Sequence, residues 1–232
     1  MENDRERLLR EMGFGFFGAI TASLSHQMNN VLAITNELSG LLDDFFYAAD
    51  NGTPLDVEKL KGTSARIAAQ VERGQEYVKR LNRFAHTVDD AQADIVVNEA
   101  VETIALLCRR FGKLRQVEFE TILPEESPRL KGSAFGFQHI GYRCVDMALQ
   151  ASTQGDVVRI EVEPDDRGVR LIVTGGCNGE NADDLAASRD LLVTLVEDMQ
   201  GKADLELDSG RPLRLTIALP HTLCAPEGEA AS

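Results

Sequence analysis

The chain has 232 residues, 43% of them hydrophobic, so it is long enough for one large or two small domains and can bury a core. Its 24 basic and 38 acidic residues give a net charge of −14, which argues against nucleic acid or an anionic membrane as a partner. No apolar run approaches the roughly 20 residues of a membrane span and the four cysteines are widely spaced, so we expect a cytoplasmic protein with reduced thiols and no membrane insertion.

Residues 4–49 are predicted to form one long helix, because apolar side chains recur along them at helical spacing. The stripe consists of Phe17, Ile20, Leu24, Met28, Val31, Leu38, Leu42 and Phe45. Each helical residue advances by about 100°, so His26 lies away from the stripe, on one face with Asn29 and Asn30. Three glycines between residues 13 and 18 predict a bend or a close helix contact. Taken alone, an exposed helical histidine indicates an ordinary surface residue.

A second helix is predicted from Thr53, as its N-cap, to about Val88, after a turn at residues 50–52. Its apolar residues recur with a seven-residue beat, at Val57, Leu60, Ile67, Val71, Val78 and Leu81. Two such helices form an antiparallel hairpin, and a single hairpin cannot cover both apolar stripes. We therefore expect a homodimer through residues 10–88 that forms a four-helix bundle. The alternative is that the C-terminal half folds back over the hairpin.

The remaining chain predicts a second domain of helices and antiparallel hairpins. We assign residues 1–88 to the helical hairpin, 89–97 to an acidic linker, 98–220 to the second domain and 221–232 to a flexible tail. The predicted elements of the second domain are helices over 98–111, 133–151 and 183–199 and strands over 116–123, 157–162, 169–173, 203–207 and 213–219. This order is typical of an α+β sandwich, with helices on one face of a mixed sheet.

The first helix carries the sequence HQMNNVL from His26 to Leu32. Together with the order of elements, it resembles the two-component sensor histidine kinases over about residues 10–220. In that family, a dimerisation and histidine-phosphotransfer hairpin precedes a GHKL-type ATPase domain, and the phosphoacceptor motif is His-Glu-x-x-Asn/Thr. The resemblance implies that His26 is the phosphoacceptor and that Asn30 assists it. Gln27 takes the position of the family's glutamate, and an amide cannot act as a base.

The resemblance to the family's nucleotide site is incomplete. The family has an asparagine that helps to hold Mg²⁺, and its position falls here on Met147 or, with a shift of one residue, on Asp146. The family's Asp-x-Gly-x-Gly turn corresponds to the stretch with Thr174, Gly176 and Gly179, which lacks the aspartate that reads adenine. The resemblance therefore implies a degenerate ATPase fold without bound ATP or Mg²⁺. No cofactor is expected, and no His, Cys and carboxylate spacing predicts a metal site.

These observations favour a histidine phosphotransferase of a phosphorelay, which carries a phosphoryl group on His26 to or from the aspartate of a response-regulator receiver domain. The expected partners are that receiver and a second copy of the chain. The first alternative is a catalytically silent pseudokinase that acts as a scaffold or binds a sensor kinase. The second alternative is a divergent but active histidine kinase.

Overall fold

The structure, a computed structural model, describes residues 4–90, 92–176, 182–206 and 211–223, without the side chains of residues 182–184. The chain forms two compact units. The hairpin unit is Phe17–Ala85, and the sheet unit combines the described residues of Met1–Phe16 with those of His86–Ser232. In the described part of the chain, no helix is both long enough and apolar enough to cross a membrane.

The two predicted long helices are present as α1 (Asp4–Asp50) and α2 (Val57–Ala85), and α2 is followed by a short 3₁₀ helix over His86–Val88. The prediction that Thr53 is the N-cap of the second helix is wrong. The carboxylate of Asp56 accepts hydrogen bonds from the backbone amides of Glu58 and Lys59, both at 3.1 Å. Asp56 thereby satisfies two of the amides that a helix start leaves free.

The hairpin unit packs the predicted stripe of α1 against α2. Gly74 of α2 gives α1 room to approach, since a Cβ built there would lie 3.3 Å from Val31 Cγ1 and 3.7 Å from Met28 Sδ. The rings of Phe17 and Phe84 stack with their centroids 5.4 Å apart. The buried residues of this unit are Ile20, Ser23, Leu24, Val31, Leu38, Thr63, Gly74 and Phe84.

The hairpin leaves apolar surface uncovered within the single chain. Val57, Val71 and Val78, which share the seven-residue beat of α2, are 54%, 47% and 47% exposed. Leu32 and Phe46 on α1 are more than half exposed as well. A hairpin of this kind normally buries such surface against another helix pair.

The sheet unit has the predicted α+β architecture. A five-stranded sheet runs in the order β2-β4-β5-β7-β6, in which β2 and β4 are parallel and the other pairs are antiparallel. The elements are β1 (Ala93–Val96), α3 (Val97–Arg115), β2 (Glu118–Ile122), β3 (Arg129–Gly132), α4 (Ala134–Gln150), β4 (Val157–Asp165), β5 (Gly168–Thr174), α5 (Ala182–Asp198), β6 (Lys202–Glu206) and β7 (Arg214–Pro220).

The two faces of this sheet differ in polarity. Val158, Ile160 and Val162 of β4 are buried in the core that the helices share, and residues between them point to the other face. On that other face, Arg159 pairs with Glu120 at 2.7 Å. The helices therefore cover one face, as the sequence pattern predicts, and a charged layer lies on the other.

Two segments that the sequence assigns to the linker and to the tail take part in a small sheet. Residues 93–96, which the sequence assigns to the linker, form β1 and pair with β3. Residues 221–223, assigned to the tail, continue this small sheet: the Lys131 amide donates to the His221 carbonyl at 2.8 Å, and Leu223 is fully buried. Burial of Ile95 and Leu223 stabilises the pairing of both segments. No local sequence pattern predicts this pairing. Residues 224–232 lie outside the described part.

Candidate functional site around His26

The structure brings His26 and Asn30 together on the exposed face of α1. Both residues are exposed, and Asn30 Nδ2 lies 3.4 Å from His26 Nδ1, at the long end of hydrogen-bonding distance. Residues four apart on a helix lie one above the other, so α1 itself sets this pair. On the opposite face, Leu24 is buried, which fixes the rotation of the helix and presents the imidazole to solvent.

The orientation of the Asn30 amide decides which ring nitrogen of His26 is nucleophilic. If the amide nitrogen donates to Nδ1, the neutral ring carries its proton on Nε2 and offers no free lone pair to an incoming reagent. If the amide is rotated by 180°, its oxygen accepts from Nδ1–H and Nε2 presents a lone pair to solvent. The second arrangement makes Nε2 the nucleophile and Asn30 the residue that holds the tautomer.

Gln27 lies next to this pair and is half-buried. Its amide can donate or accept a hydrogen bond but cannot remove a proton from the imidazole. Among the described residues, the structure shows no carboxylate that is bonded to His26. The site therefore suits a reaction in which a neutral imidazole attacks an already activated phosphoryl group, since that attack needs no neighbouring base.

Met147 and Asp146, the two sequence-predicted positions for a Mg²⁺ ligand, lie in different environments on α4. Met147 is 1% exposed and belongs to the apolar core. The Asp146 carboxylate accepts a hydrogen bond from Gln150 Nε2 at 2.9 Å. Burial raises the pKa of Asp146, and the charges of Arg143 and Arg115 oppose this rise. Only Asp146 offers an oxygen ligand, and it is already engaged along its own helix.

The glycine turn after β5 is closed by its neighbours. The Gly176 amide donates to the Ser152 hydroxyl at 2.9 Å, and the Gly175 amide donates to the Leu213 carbonyl at 3.0 Å. Thr174, the last residue of β5, pairs with β7 and is half-buried. These two amides are therefore unavailable to a phosphate group. Gly179 and the rest of residues 177–181 lie outside the described part of the chain.

The glycines of this turn are explained by close packing against the end of α4. A Cβ at Gly175 would lie 2.7 Å from the Ala148 carbonyl oxygen. At Gly176 it would lie 2.3 Å from Asp156 Oδ2 and 2.8 Å from the Ala151 carbonyl oxygen. Distances this short exclude a side chain, so tertiary packing accounts for these two glycines without any ligand.

Three other titratable groups of the sheet unit, His139, Cys108 and Cys144, are buried. His139 is 2% exposed, and burial together with the charge of Arg143 lowers its pKa to about 3, so its ring is neutral. Cys108 and Cys144 are buried free thiols, and burial raises the pKa of both. Such thiols are poor nucleophiles at neutral pH. Among the described residues, no three His, Cys, Asp or Glu side chains are grouped as metal ligands.

The comparisons with known proteins rest on structure. No protein-family model matches the sequence, and no curated protein matches it significantly. The catalytic domain of the histidine kinase ThkA aligns with a TM-score of 0.50 and 16% identity, over 58% of this chain and 99% of that domain. Full-length ShkA, solved in complex with AMPPNP, aligns with a TM-score of 0.50 and 14% identity, over 85% of this chain and 46% of ShkA.

A histidine kinase from Burkholderia phymatum STM815 also aligns, with a TM-score of 0.49 and 15% identity, over 83% of this chain and 98% of that protein. The ThkA and ShkA alignments establish the fold. The chain has the fold of histidine kinase catalytic domains, which confirms the architecture that the sequence resemblance implies. At these identities, the alignments say nothing about which chemistry the fold performs.

Proposed function

We propose that the chain belongs to the two-component histidine kinase family and acts as a histidine phosphotransferase that uses no ATP. In this proposal, His26 receives a phosphoryl group from the aspartate of a response-regulator receiver domain and passes it to another receiver. The observation that supports it most is the exposed pair of His26 and Asn30, held on a packed helical hairpin in a chain with a histidine kinase fold. The protein would act in the cytoplasm, where receivers are found.

The chemistry requires little from the protein beyond positioning. The lone pair of His26 Nε2 attacks the phosphorus of the receiver's aspartyl phosphate, a P–N bond forms, and the P–O bond to the aspartate breaks. The aspartate leaves as a carboxylate and needs no proton. The ring keeps its Nδ1 proton, which Asn30 Oδ1 accepts as a hydrogen bond. Because the acyl phosphate is already activated, Gln27 is compatible with this transfer although it cannot replace the family's glutamate as a base.

The hydrogen bonds of the glycine turn and the packing of α4 support phosphoryl transfer without ATP. The amides of Gly175 and Gly176 are bonded within the fold, Met147 is buried, and Asp146 is bonded to Gln150. A nucleotide would have to displace these interactions before its phosphates could reach a backbone amide. In this proposal, the sheet unit serves as a surface for receivers, without turnover of its own.

The exposed apolar stripe of α2 supports a homodimer through residues 10–88. Val57, Val71 and Val78 stay about half exposed in one chain, and a second hairpin would cover them in a four-helix bundle. Such burial of three valines on each chain is of the kind that drives helix-pair association. In the dimer, each His26 remains on a polar face and accessible to a receiver.

Transfer from a receiver tests the proposal directly. A panel of receiver domains, each phosphorylated with labelled acetyl phosphate and freed of excess donor, is incubated with the full chain without nucleotide. We expect label to move to the chain from at least one receiver, to be lost in His26→Ala and to be slowed in Asn30→Ala. His86→Ala is the matched control, since His86 is also exposed and lies at the end of α2. Equal labelling of His26→Ala would refute the assignment.

Two alternative functions give different results. A silent pseudokinase would accept no label and would bind a sensor kinase tightly. Gln27, which stands in place of the family's glutamate, is also compatible with this function. A divergent active kinase would bind Mg-ATP, and calorimetric titration distinguishes it. We expect no heat of binding at millimolar ATP. Heat that disappears in Asp146→Ala would favour the active kinase, because Asp146 supplies the oxygen ligand nearest in sequence to the family's ligand position, and alanine offers no ligand atom.

A further inference from the structure

The first turns of α1 belong to the sheet unit, whereas the rest of this helix belongs to the hairpin unit. Leu9 packs against the core of that unit, and Met12 belongs to it with 5% exposure. Phe16 is 1% exposed. These residues lie three and four positions apart, so they form one helical face. At the other end of the segment, Arg5 lies 3.9 Å from the carboxylate of Asp198 on α5.

Phe16 anchors this segment among the side chains of α4. Its ring is parallel to that of His139 within 2°, with centroids 4.7 Å apart. The rings of Tyr142 and Phe135 lie 5.0 Å and 5.2 Å away. Stacked and tilted rings at these distances attract each other beyond the burial of their area. Phe14, only two residues earlier, is 71% exposed.

Close packing does not require glycine at the three glycine positions around Phe16. A Cβ at Gly13 would lie 3.5 Å from the ring of Phe135, an ordinary contact. A Cβ at Gly15 or Gly18 would meet nothing within 4 Å, so alanine would fit at both positions. Glycine weakens a helix relative to alanine, so the remaining consequence of Gly15 and Gly18 is a backbone that bends more easily.

We propose that residues 4–16 form a reversible latch on the sheet unit. In the closed state, the face formed by Leu9, Met12 and Phe16 docks on the core of the sheet unit, with Phe16 against α4. In the open state, α1 bends at Gly15 and Gly18, and the segment leaves α4 as one piece. The groove that Phe135, His139 and Tyr142 form then becomes accessible, and its occupant is this chain's own first turns. The proposal does not depend on phosphoryl transfer by His26.

The latch predicts opposite effects for two sets of substitutions. Phe16→Ala removes the anchor, and we expect amide hydrogen exchange of residues 4–16 in the full chain to rise by about 100-fold or more. Gly15→Ala combined with Gly18→Ala stiffens the bend, and we expect exchange of the same segment to fall roughly 30-fold. Phe14→Ala is the matched control, because the ring of Phe14 is exposed. Residues 4–16 of this variant should exchange their amide hydrogens at the wild-type rate.

The set of residues that show faster hydrogen exchange distinguishes a latch from an integral part of the core. For Phe16→Ala, we expect faster exchange to stay within residues 4–16 and the facing part of α4, while strands β4 and β5 remain protected. Faster exchange throughout the sheet unit would overturn the proposal, because the segment would then be inseparable from the core. Unchanged exchange in the Gly15 and Gly18 double variant would overturn it as well, since bending there would not limit opening.

A peptide supplied in trans gives a second readout. A fluorescent peptide of residues 4–18 should bind the Phe16→Ala chain at least about tenfold more tightly than the wild type, in which the segment in cis competes. The same peptide with Phe16→Ala should not bind, and the peptide with Phe14→Ala should bind as well as the parent. Equal affinity of the parent peptide for wild type and variant would contradict a displaceable segment.

Discussion

Lowering the pH should destabilise the sheet unit through His139. This side chain is 2% exposed and stacked on Phe16, and burial lowers its pKa from the usual 6.5 to about 3, with a further contribution from the charge of Arg143. The unfolded chain therefore binds a proton at His139 at a pH where the folded chain does not. The contribution of His139 to the free energy of unfolding is fully present above the unfolded pKa, and it falls as the pH decreases from 6.5 towards 3.

The size of this effect follows from the two pKa values of His139. Between about pH 7.5 and about pH 5.5, the linkage relation gives a loss of about 1.4 kcal/mol in the free energy of unfolding. The acidic carboxyl of Asp146 also has a raised pKa and contributes in the opposite direction. His139→Phe removes the first contribution and keeps the second, so the difference between the two proteins isolates His139.

Tyrosine fluorescence can follow the sheet unit alone. The chain has no tryptophan and three tyrosines, of which Tyr47 and Tyr77 lie in the hairpin unit and Tyr142 lies beside Phe16. With Tyr47→Phe and Tyr77→Phe as the common background, urea unfolding monitored by Tyr142 reports the free energy of that unit. We expect the His139→Phe variant to lose about 1.4 kcal/mol less than its parent over this pH range. Equal losses would refute the account of His139 as a buried neutral ring.

Two further predictions concern the dimer and the glycine turn. Val71→Asp combined with Val78→Asp places charges on the exposed stripe and should convert a dimer into a monomer, which light scattering measures as a halved mass. Lys79→Glu, at a neighbouring exposed position, should leave the mass unchanged. A monomeric wild type would contradict the bundle. Gly176→Ala should lower the free energy of unfolding by about 1–3 kcal/mol, because its Cβ would lie 2.8 Å from two backbone atoms, the Ala151 carbonyl oxygen and Ser152 Cα. Gly62→Ala, where a Cβ meets nothing within 4 Å, should be neutral or stabilising, and equal costs at both sites would contradict the packing.

The helical part of the fold was accessible from the sequence because its cause is local. Helical periodicity identified α1, its buried stripe and the exposed position of His26, and the spacing of four residues placed Asn30 beside it. The N-cap of α2 was misplaced because Thr53 and Asp56 are both capping residues. The position of Asp56 directly before Val57, the first residue of the apolar beat, was the signal that favoured it.

The features missed by the sequence depend on contacts between distant segments. Strands β1 and β3 have four residues each and pair across more than 30 positions, so neither carries a recognisable alternation. The apolar face around Phe16 has the same helical period whether it faces α2 or α4, and the pattern cannot tell which. The hydrogen bond from the Gly176 amide to Ser152 requires the approach of two elements that only the folded chain defines.

The central claim is that His26 takes a phosphoryl group from a receiver without ATP. Its most direct test is mass-spectrometric mapping of the chain after incubation with a phosphorylated receiver in nucleotide-free buffer, at neutral to alkaline pH to preserve phosphohistidine. The account predicts one phosphoryl group, located on His26, that is lost on mild acid treatment. Phosphorylation of another residue, or an unmodified His26 after transfer from every receiver tested, would contradict it.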